Sequence, residues 1–442
     1  KLTGQDSTFA SVLTQVDSTT WTYTAKAAAT GSAPLVLSMA DGAYTSTTGE
    51  VGLGGADVQN VGAAPGPAPG PQGPADSTTA SVVAPYYGAI ETLKDGGWVE
   101  TYIRSSAATL FQRFDAAGNK VGTEVVVNNT FGAYTTVSAL ADGGFVIAYS
   151  NGTTTTYIQR YDVNSAPVGS TITLANRNFP DVTVLDDGSF VVAVSSQTAV
   201  PAVSGNYVYH YSSTGALIGS PISVDTNGQA ITQSIVKLAG GGFVYTWTNT
   251  ATSGTADVYM QLFDATAAKV GSPTVVNTTT AFSQATSTVS ALDGGGYVVS
   301  WLSAGWSATS TGVMDLMFQM FDATGAKVGG ETTAAAHSGT SSLNQGTVEG
   351  LVGGGFVMAY GKSGTSTEIY VQAFDASGNK VGAETPIPVA SQASARPTIT
   401  ALPNGSFVVE YSTTNTGLTT GTYGVYHRVF GAAGVVNALG TA

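Results

Sequence analysis

One phrase recurs along this chain and constrains its fold more than any other feature: Leu, four turn residues rich in Asp and Gly, then an aromatic residue and Val. It begins at Leu93, Leu140, Leu185, Leu238, Leu292, Leu351 and Leu402, at spacings of 47, 45, 53, 54, 59 and 51 residues. Its aromatic falls at Trp98, Phe145, Phe190, Phe243, Tyr297, Phe356 and Phe407. A second phrase follows each first one and is best kept as Gln-x-Phe-Asp-Ala-x-Gly-x-Lys-Val-Gly, at 112–122, 261–271, 319–329 and 372–382. It is looser at 159–169 and eroded at 209–219 and 428–436.

Each unit reads as four short strands, in the second unit 136–140, 145–150, 157–162 and 171–174. The joint Ala141-Asp142-Gly143-Gly144 suits a tight hairpin, because Gly takes φ > 0 at no steric cost. In the fourth unit Tyr259, Gln261 and Phe263 alternate with Val258, Met260 and Leu262, so the third strand is apolar on both faces and lies between two layers. Four-stranded units buried on both faces and repeated about every 50 residues predict an all-β, seven-bladed propeller.

Residues 77–442 carry the seven repeats. Residues 1–61 hold strand-like pieces and one decayed phrase, Met39-Ala40-Asp41-Gly42-Ala43-Tyr44, and read as a cap, an assembly arm or a degenerate eighth blade. Between them, 62–76 is rich in Pro and Gly and reads as an extended, semi-rigid linker. No strand is left over to close the ring by exchange between the termini.

Composition narrows the function. Only 10% of residues are charged, against about 25% in ordinary soluble proteins. The surface is therefore built from Thr, Ser, Gly, Ala and Asn. A net charge of −13 with 15 basic residues argues against nucleic acid. There is no cysteine, and no apolar run reaches the ~18 residues of a membrane span. No basic-then-apolar signal opens the chain, which fits a removed signal or another export route.

The candidate ligand-binding residues are aromatic. Tyr102, Tyr149, Trp247, Trp301, Tyr360 and Tyr411 each stand four residues after the phrase aromatic, and Trp306 lies in a long loop. They are either stacking platforms for a glycan or packing between blades. The recurrent Gln112, Gln159, Gln261, Gln319 and Gln372 are either ligand contacts or buried amides that satisfy backbone groups. Asp115, Asp162, Asp264, Asp322 and Asp375 open turns and accept local N–H bonds. Calcium needs more oxygens than one Asp per turn provides, so no cofactor is expected. The loops between second and third strands vary in length, and a partner is expected on the rim they form.

His210, His337 and His427 show no metal-ligand spacing, and no Gly-x-Ser-x-Gly elbow occurs. Gly361-Lys362-Ser363 lacks the glycine five residues earlier that a phosphate loop requires. Most acids sit in the repeated turns. On these absences the chain is expected not to be an enzyme, although paired carboxylates assemble in space and leave no linear motif.

The phrase Gly-Gly-Phe-Val…Tyr-x-Gln-x-Phe-Asp-x-x-Gly-x-Lys-Val-Gly, spread over 86–442, resembles the repeats of large secreted bacterial proteins of the RTX and type I-exported adhesin kind. The resemblance implies an extracellular or cell-surface, adhesive or matrix-associated protein. The chain lacks the tandem Gly-Gly-x-Gly-x-Asp nonapeptides of those proteins, and Gly52–Asp57 is only a fragment of one. The expected function is a structural or adhesive surface protein that self-associates into a layer, sheath or filament, with itself or surface glycans as partners. The alternatives are a lectin-like glycan-binding module and, further off, a polysaccharide-degrading enzyme.

Overall fold

The computed structural model describes residues 88–431 apart from 105–107, 130–132, 152–153, 197–204, 226–232, 250–255, 281, 305–313, 339–341, 345, 364–366, 388–396 and 415–422, together with strand segments at 2–3, 12–15, 21–24, 35–38, 56–59 and 73–74. Among them every regular element is a strand, and no helix is long and apolar enough to cross a membrane.

The chain divides into two units, Lys1–Ala68 and Pro69–Ala442. In the first, Leu2–Thr3, Leu35–Ser38 and Ala56–Gln59 form one antiparallel sheet, and Val12–Gln15 pairs with Trp21–Thr24. The second is a seven-bladed β-propeller of four-stranded antiparallel blades. Blade 1 is Ala89–Thr92, Trp98–Arg104, Ala108–Phe114 and Lys120–Asn128. The first strands of blades 2 to 7 are Tyr134–Ala139, Asn178–Val184, Gln233–Lys237, Gln284–Ala291, Thr347–Gly350 and Thr398–Ala401. They neighbour one another in a closed circle that returns from blade 7 to blade 1. The fourth strands lie outside and are largely exposed.

The repeated phrases explain the blades. Leu93 N donates to Gly97 O (2.8 Å) and Gly96 N to Leu93 O (3.0 Å), with Gly96 at φ +84°. In blade 4 the glycine before the phrase aromatic, Gly242, has no room for a Cβ beside the Phe263 carbonyl. That close approach lets the phrase aromatic stack on the last aromatic of the third strand. Such a pair stands in every blade, from Trp98–Phe114 to Phe407–Phe430, with centroids 4.5–5.3 Å apart. Each pair adds roughly 0.5–1.5 kcal/mol beyond its burial. Seven apolar clusters then fill the seven junctions between blades.

The glutamines serve the backbone. Nε2 of Gln319 donates to Met320 O (2.9 Å) and Val328 O (3.1 Å), bracing the bulge where the third and fourth strands slip register, and Gln159, Gln261 and Gln372 repeat the arrangement.

The ring closes at the expected seven blades, where Thr92 N of blade 1 donates to Thr400 Oγ1 of blade 7 (3.1 Å). One expectation is corrected: the Pro-rich stretch is not only a linker. Its Gly73–Pro74 pairs with Tyr426 and His427 as the outer strand of blade 7, so a segment preceding blade 1 completes the last blade. Pro is tolerated there because an edge strand need not donate on its outer side.

Candidate functional site

The first strands enclose a central channel of about 690 Å³. Its lining follows from strand alternation. Ile90, Val137, Val182, Ile235, Val289, Val348 and Ile399 point outward into the junction cores. Their neighbours on either side line the lumen in two tiers. The tier nearer the Leu turns is Glu91, Ser138, Thr183, Val236, Ser290 and Glu349, and Thr400 at the matching register is turned to Thr92. The deeper tier is Ala89, Thr136, Asp181, Ser234, Thr288, Thr347 and Thr398.

These tiers solve an edge problem. An innermost strand has one unpaired side, whose N–H groups need acceptors. The upper tier supplies them from the preceding blade: Ala139 N donates to Glu91 Oε1 (3.3 Å), Lys237 N to Thr183 Oγ1 (3.2 Å), Gly350 N to Ser290 Oγ (2.9 Å) and Ala401 N to Glu349 Oε1 (3.3 Å). In the deeper tier Ile235 N donates to Asp181 Oδ2 (2.9 Å) and Val289 N to Ser234 Oγ (3.3 Å). Ser or Thr suffices for this role, so three acids are in excess of it.

Their electrostatics set them apart. Burial raises Glu91 to about 8, and the charges of Glu349 and Asp181 add to the shift. Burial likewise raises Glu349 to about 7, against the opposing bonds from Ala401 N and Ser290 Oγ. Asp181 rises only to about 6, because Thr136, Ile235 N and Val182 N donate to it. All three keep part of their surface on the lumen. The cavity reaches the turn residues Lys94, Ala141 and Asp186, and so runs toward the rim of the repeated hairpins. The site thus lies on the side of the invariantly built turns, not on the loop-bearing rim where a partner was expected. Most of those loops fall outside the described residues.

The structure gathers none of the sequence-picked aromatics into this channel. Tyr102, Tyr149, Trp247, Trp301, Tyr360 and Tyr411 are buried. Trp247 Nε1 donates to Asp225 Oδ2 (3.1 Å), Trp301 Nε1 to Gln284 Oε1 (2.9 Å) and Tyr360 OH to Glu384 Oε2 (2.6 Å). Enclosed in the junction cores, they offer no open face for stacking, and the expectation of a platform there is corrected. Trp306 lies outside the described residues. The histidines stay apart: His210 faces Ser189, His337 faces Asp315 and His427 faces Glu100. Among the described residues no three His, Asp or Glu side chains gather as a metal site.

The channel acids escaped the sequence reading, yet their signal is there. Glu91 and Glu349 stand two residues before the repeat leucines Leu93 and Leu351, and Asp181 four before Leu185. Aligning the residues before each leucine exposes both tiers.

No family model matches the chain, and no curated protein matches its sequence. Solved structures share the fold. An α-L-arabinanase of Penicillium chrysogenum complexed with arabinobiose is similar at a TM-score of 0.51 and 14% identity, over 84% of this chain and 100% of that one. Hydrazine synthase of Kuenenia stuttgartiensis is similar at 0.52 and 11%, over 79% and 97%. The polysaccharide lyase Uly1 is similar at 0.50 and 12%, over 79% and 91%. At such identities the likeness is one of fold. It overturns the expectation that the chain is not an enzyme: this propeller is an architecture that enzymes use.

Proposed function

We propose that this protein acts on glycans through its central channel, as a glycosidase-type enzyme with Glu91 and Glu349 as its working carboxyl pair. The observation that carries the reading is that these two acids line one lumen, where burial raises both and the charge of Glu349 raises Glu91 further. Near neutral pH Glu349 ionises first and Glu91 keeps its proton. Glycosidic cleavage needs that division: an acid to protonate the leaving oxygen, and a base or nucleophile at the sugar's other side. The arabinanase and the polysaccharide lyase that share the fold support the substrate class.

The charge of the lumen narrows that class further. Three acids face it, while Lys94 donates to Ala141 O and Lys237 to Asp186 at the rim. With a net charge of −13, an uncharged glycan is favoured over a polyanion. An extracellular or cell-surface location, drawn from the repeat resemblance, belongs to the same proposal. The self-associating layer rests on composition and the N-terminal segment, and gains nothing from the channel.

The test is reducing-end release from arabinan and other neutral polysaccharides. We expect Glu91→Gln and Glu349→Gln each to lower turnover at least ~100-fold, with the fold retained because an amide oxygen still accepts from the next blade. Equal rates in wild type and both variants would overturn the reading. Binding on a glycan array without turnover, lost in the same variants, would leave a lectin.

A further inference from the structure

The junction between blades 7 and 1 differs from the other six. Glu100 stands in the second strand of blade 1, two residues after the phrase aromatic, where the other blades have Ile147, Val192, Tyr245, Val299, Met358 and Val409. Glu410, three after the aromatic of blade 7, takes a place held elsewhere by Thr101, Ala148, Ala193, Thr246, Ser300 and Ala359. Its cross-strand partner is His427, where the other third strands have Phe111, Ile158, Val208, Met260, Phe318 and Val371. Glu100, Glu410 and His427 are 0%, 5% and 3% exposed. This is a cluster of three ionisable side chains in what is otherwise an apolar seam.

The cluster is only partly satisfied. Glu100 Oε1 accepts from Trp98 Nε1 (2.7 Å) and lies 2.9 Å from His427 Nδ1. Glu100 Oε2 and Glu410 Oε2 have no partner, and the His427 Nδ1 approach is off the line of a hydrogen bond. Phe114 and Trp98 close on the imidazole edge-to-face, at 4.6 and 5.4 Å. Of the charged neighbours, Arg113 is paired with Asp95 (2.8 Å), and Arg428 interacts with Tyr411. Glu100 is the one charge that acts on Glu410.

Glu410 also stands among the elements that close the ring. It pairs with Thr398 of blade 7's innermost strand. Its Oε1 leaves no room for a Cβ at Gly88, where the chain enters blade 1. Its cross-strand partner His427 pairs in turn with Gly73 of the closing strand.

We propose that the junction between blades 7 and 1 is a proton-linked latch on the ring, shut while the Glu410 carboxyl carries its proton and loosened when it loses it. Loss of that proton leaves two carboxylates side by side in a dry seam, and charge without a partner is costly there. Opening to water relieves both desolvation and repulsion. The sign follows from the upward shift that burial and Glu100 impose on Glu410: closure is at full strength below the ordinary carboxylate range and weakens as pH rises above it. The other six junctions lack this dependence at the matching positions. The latch requires no catalytic role for the channel.

Hydrogen exchange followed by mass spectrometry tests this on the full chain. Protection factors, corrected for the intrinsic pH dependence of exchange, are compared for 89–104 with 398–412 and for the blade 4–5 junction. We expect the seam to lose up to about tenfold in protection per pH unit above about pH 5, one proton being released per opening, while the blade 4–5 junction, bridged by Val289 N and Ser234 Oγ, holds. Glu410→Gln should flatten the loss, and Asp264→Ala on the outer rim of blade 4 should leave it. Glu100→Gln, which removes the neighbouring charge, should let it level off at lower pH and serves if the first variant does not fold. Seam amides that follow the other junction at every pH, or that lose protection alike with and without Glu410, would overturn the latch.

Discussion

Acids occupy two regions of this propeller, and the two regions treat the same functional group in opposite ways. On the hairpin rim, Asp264 is exposed and accepts from Thr266 Oγ1 (2.7 Å), Thr266 N (2.8 Å) and Ala268 N (2.9 Å). The hydroxyl first, and then the amides, hold its carboxyl below the ordinary range, as Thr324 and its neighbours do for Asp322. In the channel, Glu91 has one long backbone donor and a buried setting, and rises to about 8. Asp181 stands between: equally enclosed, it receives three donors within 2.9 Å and rises only to about 6. The difference teaches that donor supply, set against burial, decides which acids are structural and which are left in a reactive state.

The largest expected effect that would sharpen this contrast is in Glu91. A raised value makes its contribution complete below the ordinary carboxylate value and erodes it as pH climbs toward about 8. Glu91→Gln should therefore melt roughly 3–5 °C higher than wild type at pH 8 and show no gain at pH 4. Equal melting temperatures at both would break the comparison on the channel side. Next, Thr136→Val removes the 2.8 Å donor to Asp181 and should move its titration up by about half to one pH unit, read by NMR of the carboxyl carbon. An unmoved titration would show that donor supply does not govern the channel. The smallest effect belongs to the rim: Asp264→Ala should cost about 1 °C near pH 7. A depressed value gives stability that is present above the ordinary range and lost in acid, so the difference in thermal melts should shrink steadily as pH falls below that range.

Much of the architecture was legible. The Leu–turn–aromatic phrase marks the first hairpin of each blade, because Gly96 at positive φ and Gly242 against a carbonyl admit little else. The glutamines and turn aspartates are local devices that reach backbone within ten residues, so their roles could be read from spacing. The aromatic four residues on was ambiguous, since a buried ring and a stacking platform look alike in sequence. The channel pair was harder. Glu91 and Glu349 are 258 residues apart in number, and only the circular order, with blade 7 between them, puts their carboxyls in one lumen.

By itself the sequence determined seven units, four strands in each, and the turns that join them, because strand alternation and glycine conformation are properties of neighbours along the chain. Only the tertiary structure decided how the ring closes and what stands inside it. Gly73–Pro74 finds its partners at Tyr426 and His427, and the seam there acquires Glu100 and Glu410 together. The physical reason is shared: burial, desolvation and charge coupling depend on which strands become neighbours around the circle, and no spacing along the chain records that.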